Sequence, residues 1–375
     1  MDKSPKIAHL TSAHDRYDTR IFLKMCASLA SHDYSVFLVV ADGLKDEVKA
    51  GVQIIDIGAK AGGRISRMTR TVGMVYRKAK EINAEVYHLH DPELILIGIL
   101  LKRLGKIVIF DSHEDLPKQI LSKPYLSGYS KRVLSTACSI FEKWACLRLD
   151  AVVGATPYIR DKFKGMGVNA IDVNNYPILA ESQCKEVEWG LKENQVVYVG
   201  GLERVRGVAE MVQALELTKS AVKLQLGGIF SESEFRLKVQ AESGWKNVEE
   251  LGWLDREGVY QALSQSVGGL VTLQPIANYL DSLPVKMFEY MSVGIPVISS
   301  NFPLWKSIVE GNDCGVCVDP LNPKEIASAI DYLVANPGKA EEMGRRGRVA
   351  VQTKYNWALE ECKLFNLYKE LLIKN

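Results

Sequence analysis

The sequence predicts an α/β protein of two doubly wound, Rossmann-like domains that face a cleft. Two observations favour this fold class. The chain has 375 residues, which is more than one ordinary core accommodates and suits two domains. Short β-branched runs alternate with amphipathic helical patterns, as in parallel βαβ units. The alternation lapses after Asn175-Tyr176-Pro177 and then begins again.

The first series of predicted strands comes before that lapse. Each run is rich in Val and Ile and is followed by a Gly, Asp or His turn and a helical pattern. These strands lie at 7–11, 36–41, 52–58, 86–91, 106–113, 151–156 and 170–175. We therefore assign 1–177 to an amino-terminal Rossmann-like domain and 178–194, a polar stretch, to a linker.

The second series repeats the same alternation. Its predicted strands lie at 196–202, 223–228, 248–254, 268–275, 296–300 and 315–320. Residues 195–354 are thus predicted to form a carboxyl-terminal Rossmann-like domain, and 355–375 a closing helix.

Composition limits the class of protein. The formal charge is only +2, from 47 basic and 45 acidic residues, so no overall field favours nucleic acid as a partner. The seven cysteines form no pattern typical of a secreted disulfide framework, and Cys314 and Cys317 lack a second ligand pair for zinc. The start lacks a signal-peptide core, and the most apolar run, 94–101, is too short to span a bilayer. We expect a cytoplasmic protein, either fully soluble or peripheral on the inner membrane face.

Ligands of open α/β sheets bind beyond the carboxyl ends of the strands. The run GGLERVRG, with Gly200, Gly201, Arg204 and Arg206, follows a predicted strand and precedes a helix. Bare amides and two guanidinium groups at a helix start suit a diphosphate. The alternative is a tight turn with solvated arginines.

A second candidate lies at the start of the helix that Pro284 is predicted to begin. Lys286 is in its first turn, where a cation opposes the helix dipole but would serve a docked anion. Glu289 follows one turn later and could accept hydrogen bonds from ribose hydroxyls. The alternatives are a solvated Lys286 and a surface pair between the two side chains.

The amino-terminal half holds several polar strand ends. His113 ends an apolar strand and is either a site residue or a satisfied structural histidine. His88, His90 and Asp91 could ligate a metal or simply close their strand. Loop 14–20 either contacts a substrate or contains the helix cap, with Asp18 or Thr19 in that position.

Residues 60–80 form a segment rich in Lys and Arg that contains no acid. Ile65, Met68, Val72 and Val75 recur at helical spacing within it. Two interpretations remain open. The segment could lie on an anionic membrane surface, or its apolar side could pack on the sheet.

The chain resembles retaining glycosyltransferases of family 4, which have the two-domain GT-B fold and transfer a sugar from a nucleotide diphosphate. The resemblance is carried by VVYVGGLERVRG, DSLPVKMFEYMSVGIPVISS and the closing YNW…LY…LL helix. Within the family, DTRIF, HLHDPELI and HEDLP are similar to a subgroup of bacterial surface-polysaccharide enzymes. The resemblance implies that the closing helix crosses back to the first domain.

The resemblance also implies roles for single residues. Glu289 would hold the ribose, Arg206 the diphosphate, and His113 would lie near the donor sugar. Gly201 stands where the family usually has Arg, so Arg204 is the substitute, and Asp281 stands where it usually has Glu. Further donor contacts are expected from Gly200, Trp253, Ser282, Leu283, Pro284, Val285 and Lys286, with Asp281, His113, Arg206 and Lys286 as the catalytic set. Acceptor contacts are expected from His14, Asp18, Arg20, His90, Asp91 and Glu114.

The implied reaction is front-face substitution with retention of configuration. The expected donor is a UDP-sugar rather than a GDP-sugar, the acceptor a glycan or undecaprenyl-linked saccharide, and no metal or other cofactor is needed. Three alternatives remain open. They are a sugar-nucleotide epimerase of the same fold, a catalytically silent nucleotide-binding protein, and a metal-dependent hydrolase that uses His88, His90, Asp91 and His113.

Overall fold

The computed structural model describes residues 4–59, 63, 67–121, 127–179 and 188–374. The chain divides into two compact units. One contains Met1–Asn175 together with Trp357–Asn375, and the other contains Tyr176–Asn356. Each unit has one sheet of mainly parallel strands with helices packed on it. The two predicted Rossmann-like α/β units are therefore confirmed.

The sheet of the amino-terminal unit has eight strands in the order β3-β4-β2-β1-β5-β6-β7-β8. The chain order crosses over on both sides of β1, which is the doubly wound arrangement. The strands are β1 (Lys6–Leu10), β2 (Ser35–Val40), β3 (Glu47–Lys49), β4 (Val52–Asp56), β5 (Val86–Leu89), β6 (Ile107–Ser112), β7 (Ala151–Gly154) and β8 (Ala170–Asp172).

One edge strand departs from the predicted all-parallel pattern. The sequence indicates no strand at β3, yet Glu47–Lys49 pairs antiparallel with β4. Ala50 and Gly51 join the two strands with positive φ angles of 49° and 77°. The strand was missed because it is three residues long and mostly exposed, so it carries no alternation of apolar and polar residues.

The helices of this unit cover both faces of its sheet. A π-type helix, Thr19–Cys26, continues into α1 (Ala27–Ala30), and a second, Arg67–Thr71, continues into α2 (Val72–Ile82). A 3₁₀ turn, Pro92–Leu94, precedes α3 (Ile95–Arg103). The others are α4 (Leu116–Leu121), α5 (Gly128–Cys146), α6 (Pro157–Gly165) and the last helix, α15 (Trp357–Lys374). Trp357 of α15 donates its indole N–H to Ser28 Oγ at 2.8 Å, so this helix packs into the amino-terminal unit.

The carboxyl-terminal unit contains an entirely parallel sheet of six strands in the order β11-β10-β9-β12-β13-β14. The chain again crosses over at its first strand, β9. The strands are β9 (Gln195–Val199), β10 (Lys223–Gly227), β11 (Val248–Gly252), β12 (Gly268–Val271), β13 (Val297–Ser300) and β14 (Gly315–Val318).

Helices and short 3₁₀ turns connect these strands. The helices are α7 (Val208–Leu217), α8 (Ser233–Gln240), α9 (Arg256–Gln265), α10 (Ala277–Leu280), α11 (Val285–Val293), α12 (Pro303–Val309), α13 (Pro323–Ala335) and α14 (Pro337–Thr353). The 3₁₀ turns are Trp189–Leu191, Arg204–Arg206 and Ser243–Asn247. Two apolar clusters, one on each face of the sheet, form the core of the unit.

Candidate functional site

A glycine-rich loop leaves the carboxyl end of β9 in the carboxyl-terminal unit. Gly200 has a φ of 149° and donates its amide to the Gly227 carbonyl at 2.9 Å. Gly207 closes the loop with a φ of 77° and leads into α7. A Cβ on Gly207 would clash with the carbonyl oxygen of Thr272. Both positions therefore require glycine, and the loop is held close to the neighbouring strand end.

Lys286 lies against this loop. Pro284 is the cap residue of α11 rather than its first residue, so Lys286 lies in the first turn of the helix. Its Nζ is 4.0 Å from the centroid of the Tyr198 ring. A Cβ on Gly200 would lie only 2.5 Å from this nitrogen. The absence of a side chain at Gly200 thus makes room for the ammonium group.

The Lys286 ammonium group is enclosed, although part of its side chain is accessible. Among the described residues it has no hydrogen-bond partner. Burial first, and the charge of Arg206 second, lower its pKa to about 7, while Glu289 and Glu203 oppose this shift. A buried cation in this condition is typical of a site that an anion completes.

Arg206 supplies the second positive charge of the loop. Its Nε is buried and has no hydrogen-bond partner among the described residues, and its guanidinium lies 5.4 Å from the centroid of the Tyr279 ring. Thr272 Oγ1 and Asn278 Oδ1 are buried without a hydrogen-bond partner in the same part of the unit. Arg204 instead places its guanidinium 5.0 Å from the centroid of the Phe235 ring. Of the two arginines, Arg206 is the one whose charge acts on Lys286.

The remaining donor candidates surround α11. Glu289 is exposed, one turn after Lys286, and Asp281 directly follows α10. Ser282 is fixed by its carbonyl, which accepts the Trp305 indole N–H at 2.7 Å. Gly201 is exposed and accepts the Tyr198 hydroxyl at its carbonyl, and Trp253 is 73% exposed. The partly buried residues of the turn are Leu283, Pro284 and Val285.

In the amino-terminal unit, buried Asp91 and partly exposed His14 form one acid–histidine pair. His14 Nδ1 is 3.2 Å from Asp91 Oδ1, while Asp91 Oδ2 accepts from Ser12 N at 2.6 Å and Thr11 Oγ1 at 2.8 Å. Burial alone would lower the pKa of His14, but the hydrogen bond and charge of Asp91 outweigh it and raise that pKa. Burial would raise the pKa of Asp91, but His14 and the Ser12 amide hold it well below its usual range.

Asp111, at the end of β6, forms the second pair with His113. Its Oδ2 is 2.9 Å from His113 Nε2 and 3.1 Å from His90 Nδ1. Arg20 donates to both carboxylate oxygens, through Nε at 2.9 Å and Nη2 at 2.6 Å. Burial would raise the pKa of Asp111, but the Arg20 charge and His113 hold it well below its usual range.

The histidines of the two acid–histidine pairs lie next to each other. The His14 and His113 ring centroids are 4.8 Å apart, and both side chains are partly exposed, at 27% and 25%.

The other acceptor-side candidates differ in environment. Asp18 caps the first helix by accepting from the amides of Arg20 and Ile21, and Arg20 is buried. Glu114 is exposed and accepts from Gln119 Nε2 at 2.6 Å. Substrate roles for these residues stay predictions.

His9 is a site neighbour that sequence reasoning missed. Strands β1 and β5 place His9 beside His88, and His9 Nδ1 is 2.8 Å from His90 Nε2. His88 Nδ1 is 2.7 Å from the Tyr368 hydroxyl of α15. Burial lowers the pKa of all three histidines and so favours their neutral forms. His9 and His88 become neighbours only because β1 pairs with β5. The sequence of either strand alone does not indicate this contact.

Two sets of side chains among the described residues could hold a metal ion. One is His9, His88 and His90, and the other is His90, Asp111 and His113. Asp91 belongs to neither set, because its oxygens are bonded to Thr11, Ser12 and His14. The ligand set of the hydrolase alternative is therefore not brought together as one group.

We expect Asp91→Asn to lower the pKa of His14 from its raised value in the wild type. The amide keeps the shape of the side chain but removes the charge that outweighs burial. Imidazole titration followed by NMR measures this pKa directly. A His14 pKa that stays raised in the variant would contradict the assignment.

The basic segment 60–80 is only partly described, since 60–62 and 64–66, including Ile65, lie outside the described residues. Val72 and Val75 are buried in the core of the unit, whereas Met68 is 52% exposed. The apolar side of α2 thus packs on the sheet, and a membrane role would rest on the basic side. Within the part of the chain that is described, no helix is long and apolar enough to cross a membrane.

Comparison with known proteins gives two family matches. Residues 19–174 match the model described as Glycosyltransferase Family 4, and 181–350 match Glycosyl transferases group 1. An alpha-D-kanosaminyltransferase of Streptomyces kanamyceticus is 23% identical over 68% of this chain and 70% of its own. The D-rhamnosyltransferase WbpZ of Pseudomonas aeruginosa is 24% identical over 72% of this chain and 70% of its own.

Solved structures of similar fold cover nearly the whole chain. Sucrose-phosphate synthase of Thermosynechococcus elongatus has a TM-score of 0.77 at 18% identity and covers 99% of this chain and 100% of its own. Anabaena HepE in complex with UDP has a TM-score of 0.71 at 11% identity, over 98% of this chain and 100% of its own. At these identities the likeness shows the fold.

The family and relative matches favour sugar transfer over the hydrolase alternative. The chain is a glycosyltransferase of the GT-B fold, with a Glycosyltransferase Family 4 domain followed by a Glycosyl transferases group 1 domain.

Proposed function

We propose that the protein transfers a hexosyl group, with retention of configuration, from a UDP-sugar to a glycan or undecaprenyl-linked saccharide in the synthesis of a bacterial surface polysaccharide. The observation that carries the proposal is the enclosed Lys286 ammonium beside Gly200. A buried cation without a hydrogen-bond partner is costly, and an anion with several acceptor oxygens relieves that cost. The diphosphate of a nucleotide-sugar fits this requirement.

The donor would lie along the glycine-rich loop and the start of α11. Lys286, Arg206 and the amides at the helix start meet the diphosphate, and Glu289 accepts from the ribose hydroxyls. Ser282 to Val285 and Asp281 are assigned to the sugar, and Trp253 to the side of the base. HepE, whose structures contain UDP and UDP-glucose, supports uracil as the base.

The proposed reaction is a substitution at the anomeric carbon, in which negative charge develops on the leaving diphosphate. The acceptor oxygen forms its bond to the anomeric carbon on the face from which the diphosphate departs. The electron pair of the broken bond goes to the diphosphate, which also takes the acceptor proton. Lys286 and Arg206 stabilise the charge that grows on the leaving group, so this proposal assigns no role to a metal. In the amino-terminal unit, Asp111 holds the His113 ring through a hydrogen bond; His113 is assigned to the donor sugar, and His14 with Asp91 to the acceptor.

Membrane association would follow from a lipid-linked acceptor. The basic side of the segment 60–80, where Arg77 and Lys80 are exposed, is the proposed contact with an anionic inner face. The relative described as a D-rhamnosyltransferase supports a hexose as the group transferred.

A panel of nucleotides tests the function. We expect UDP to raise the melting temperature by several degrees, and GDP, ADP and CMP to raise it less. The donor sugar is then identified by transfer to an oligosaccharide acceptor, and NMR of the product reports its anomeric configuration. Failure of all four nucleotides to stabilise the protein would remove the donor site, and an inverted product would overturn retention.

Glu289→Ala is expected to weaken UDP binding by about tenfold or more, because charge-assisted hydrogen bonds contribute ~1.5 to 3 kcal/mol. Isothermal titration calorimetry measures the affinity. The matched control is Glu341→Ala, which removes another exposed glutamate of the same unit and should leave binding unchanged. Equal UDP affinity in wild type and Glu289→Ala would refute the ribose assignment.

A further inference from the structure

Helix α5 of the amino-terminal unit has the reverse of the usual amphipathic pattern. Its buried residues are small or polar: Ser135, Glu142, Ala145 and Cys146. Large apolar residues on the helix and its first following residue are exposed: Tyr129 (82%), Val133 (51%), Leu134 (48%), Ile140 (66%), Trp144 (44%) and Leu147 (47%). A helix that meets only water on its outer side normally carries polar residues there. The outer side of α5 is therefore suited to an apolar partner.

Specific contacts fix which side of α5 faces inward. Ser135 Oγ donates to the Pro117 carbonyl at 2.9 Å. Lys162 donates to Glu142 at 2.8 Å, and the Glu142 side chain is only 2% exposed. Turning the helix would break this buried ion pair, which is strongly destabilising. The outward position of the apolar side chains is thus a stable feature of the unit.

Most of these exposed residues form one stripe. At about 100° per residue, five of the six apolar side chains lie within an arc of roughly 60°, and Leu134 lies outside it. Helix α3 contacts α5 and exposes Leu96 and Leu100, four residues apart, with Leu104 following at its end. Large apolar side chains that line one face of a helix mark an interaction site rather than a scatter of single exposed residues.

Positive charge borders the stripe on both sides. Exposed Arg132 and Lys143 lie along one edge, and Arg148 lies at the other. The Arg148 guanidinium is 4.4 Å from the centroid of the Trp144 ring and donates to the Trp144 carbonyl. Glu142 is the sole acid in α5, and it is buried against Lys162. The outward side of the helix therefore presents cations and no carboxylate.

We propose that α5 docks on an anionic lipid bilayer, with its apolar stripe in the interfacial region and its basic edges at the headgroups. An apolar side with large residues, a Trp and a Tyr, flanked by Lys and Arg, is what such a surface binds. A second copy of the chain is disfavoured, because a symmetric contact through this stripe would bring like charges together. This surface is separate from the segment 60–80 and does not depend on the transfer reaction.

Vesicle cosedimentation without any donor or acceptor tests the proposal. We expect the full chain to bind phosphatidylcholine vesicles that contain about one third phosphatidylglycerol, and to bind pure phosphatidylcholine vesicles much more weakly. Ile140→Glu should lower the partition coefficient about tenfold or more. Arg132→Glu combined with Lys143→Glu should lower it at least tenfold at low salt. Leu237→Glu, at a 67% exposed leucine of α8, is the matched control and should bind like wild type.

All these positions are exposed, so unchanged melting temperatures will show that the variants fold. Equal partition of wild type and Ile140→Glu would overturn the proposal, as would equal binding to neutral and anionic vesicles. Gel filtration adds a third decisive result. If wild type forms dimers that Ile140→Glu dissociates, while vesicle binding is absent, the stripe is a contact between copies and the lipid proposal is wrong.

Discussion

Replacing Lys286 by methionine is expected to lower the rate of sugar transfer by about 10²–10³-fold, the usual effect of removing one donor that stabilises a developing oxyanion. The same change should raise the melting temperature of the protein without nucleotide. Methionine fills the space of the lysine stem against Tyr198 but leaves no enclosed ammonium. Removing a group that is buried without a hydrogen-bond partner until its ligand binds is expected to lower activity and to raise stability.

The gain in stability from Lys286→Met is expected to depend on pH. The pKa of Lys286 is lowered to about 7, whereas lysine in an unfolded chain titrates near its usual value. As the pH falls from about 10 towards 7, the unfolded state binds more protons than the folded state, so the folded state loses stability. Methionine removes this penalty. The gain in melting temperature should therefore be largest at pH 7 and below, and should shrink towards pH 10.

Lys192 provides a matched control for Lys286. Its pKa is also lowered, to about 8, mainly by burial. Its Nζ, however, donates to the carbonyls of Ser264 and Ser266, at 2.6 and 3.1 Å. Lys192→Met removes the burial penalty but also leaves these two carbonyls without their donor, so it should bring no net gain in stability and no loss of transfer rate. A Lys286→Met variant that behaves like this control would remove Lys286 from the diphosphate site.

The sequence was sufficient to predict the loop and helix start of the candidate donor site, but not their electrostatics. The glycine loop and the first turn of α11 were recognisable, because strand, turn and helix signals are local. The enclosure of Lys286 depends on Tyr198 and on the open position at Gly200, which lie far from it in sequence. No local pattern encodes that approach, so the lowered pKa could not be predicted.

The amino-terminal site shows the same limit more strongly. His113 and His90 were predicted as candidates, but Asp111, which bonds to both, was not. Its position is set by the pairing of β6 with β5, and His9 joins through the pairing of β1 with β5. Arg20 was predicted to contact an acceptor, which stays a prediction, and the structure gives its guanidinium a buried partner in Asp111 that the sequence did not indicate. Contacts between strands distant in sequence therefore decide which polar residues share a site.

Arg20→Leu is expected to lower the free energy of unfolding by about 3–5 kcal/mol, because it leaves the Asp111 carboxylate buried without its main counter-charge. Arg20 also donates to the Val173 carbonyl at 2.6 Å, so a second buried acceptor loses its donor. Urea unfolding followed by circular dichroism measures the loss. The control is Arg236→Leu, whose pair with Glu250 is largely exposed and should contribute less than about 1 kcal/mol.

Acid adds a second readout to the Arg20 comparison. Asp111 is ionised in the folded protein because its pKa is held below the usual range, so its contribution is present near neutral pH and is lost in acid. Without Arg20 that pKa rises, and the difference in stability between wild type and Arg20→Leu should shrink as the pH falls below about 4. If Arg20→Leu instead keeps wild-type stability but abolishes transfer, Arg20 belongs to the acceptor site. The expected result is that Arg20→Leu lowers the free energy of unfolding, and that it lowers the transfer rate only because part of the protein is unfolded. That result identifies Arg20 as the residue that holds Asp111 and, through it, His113 in place.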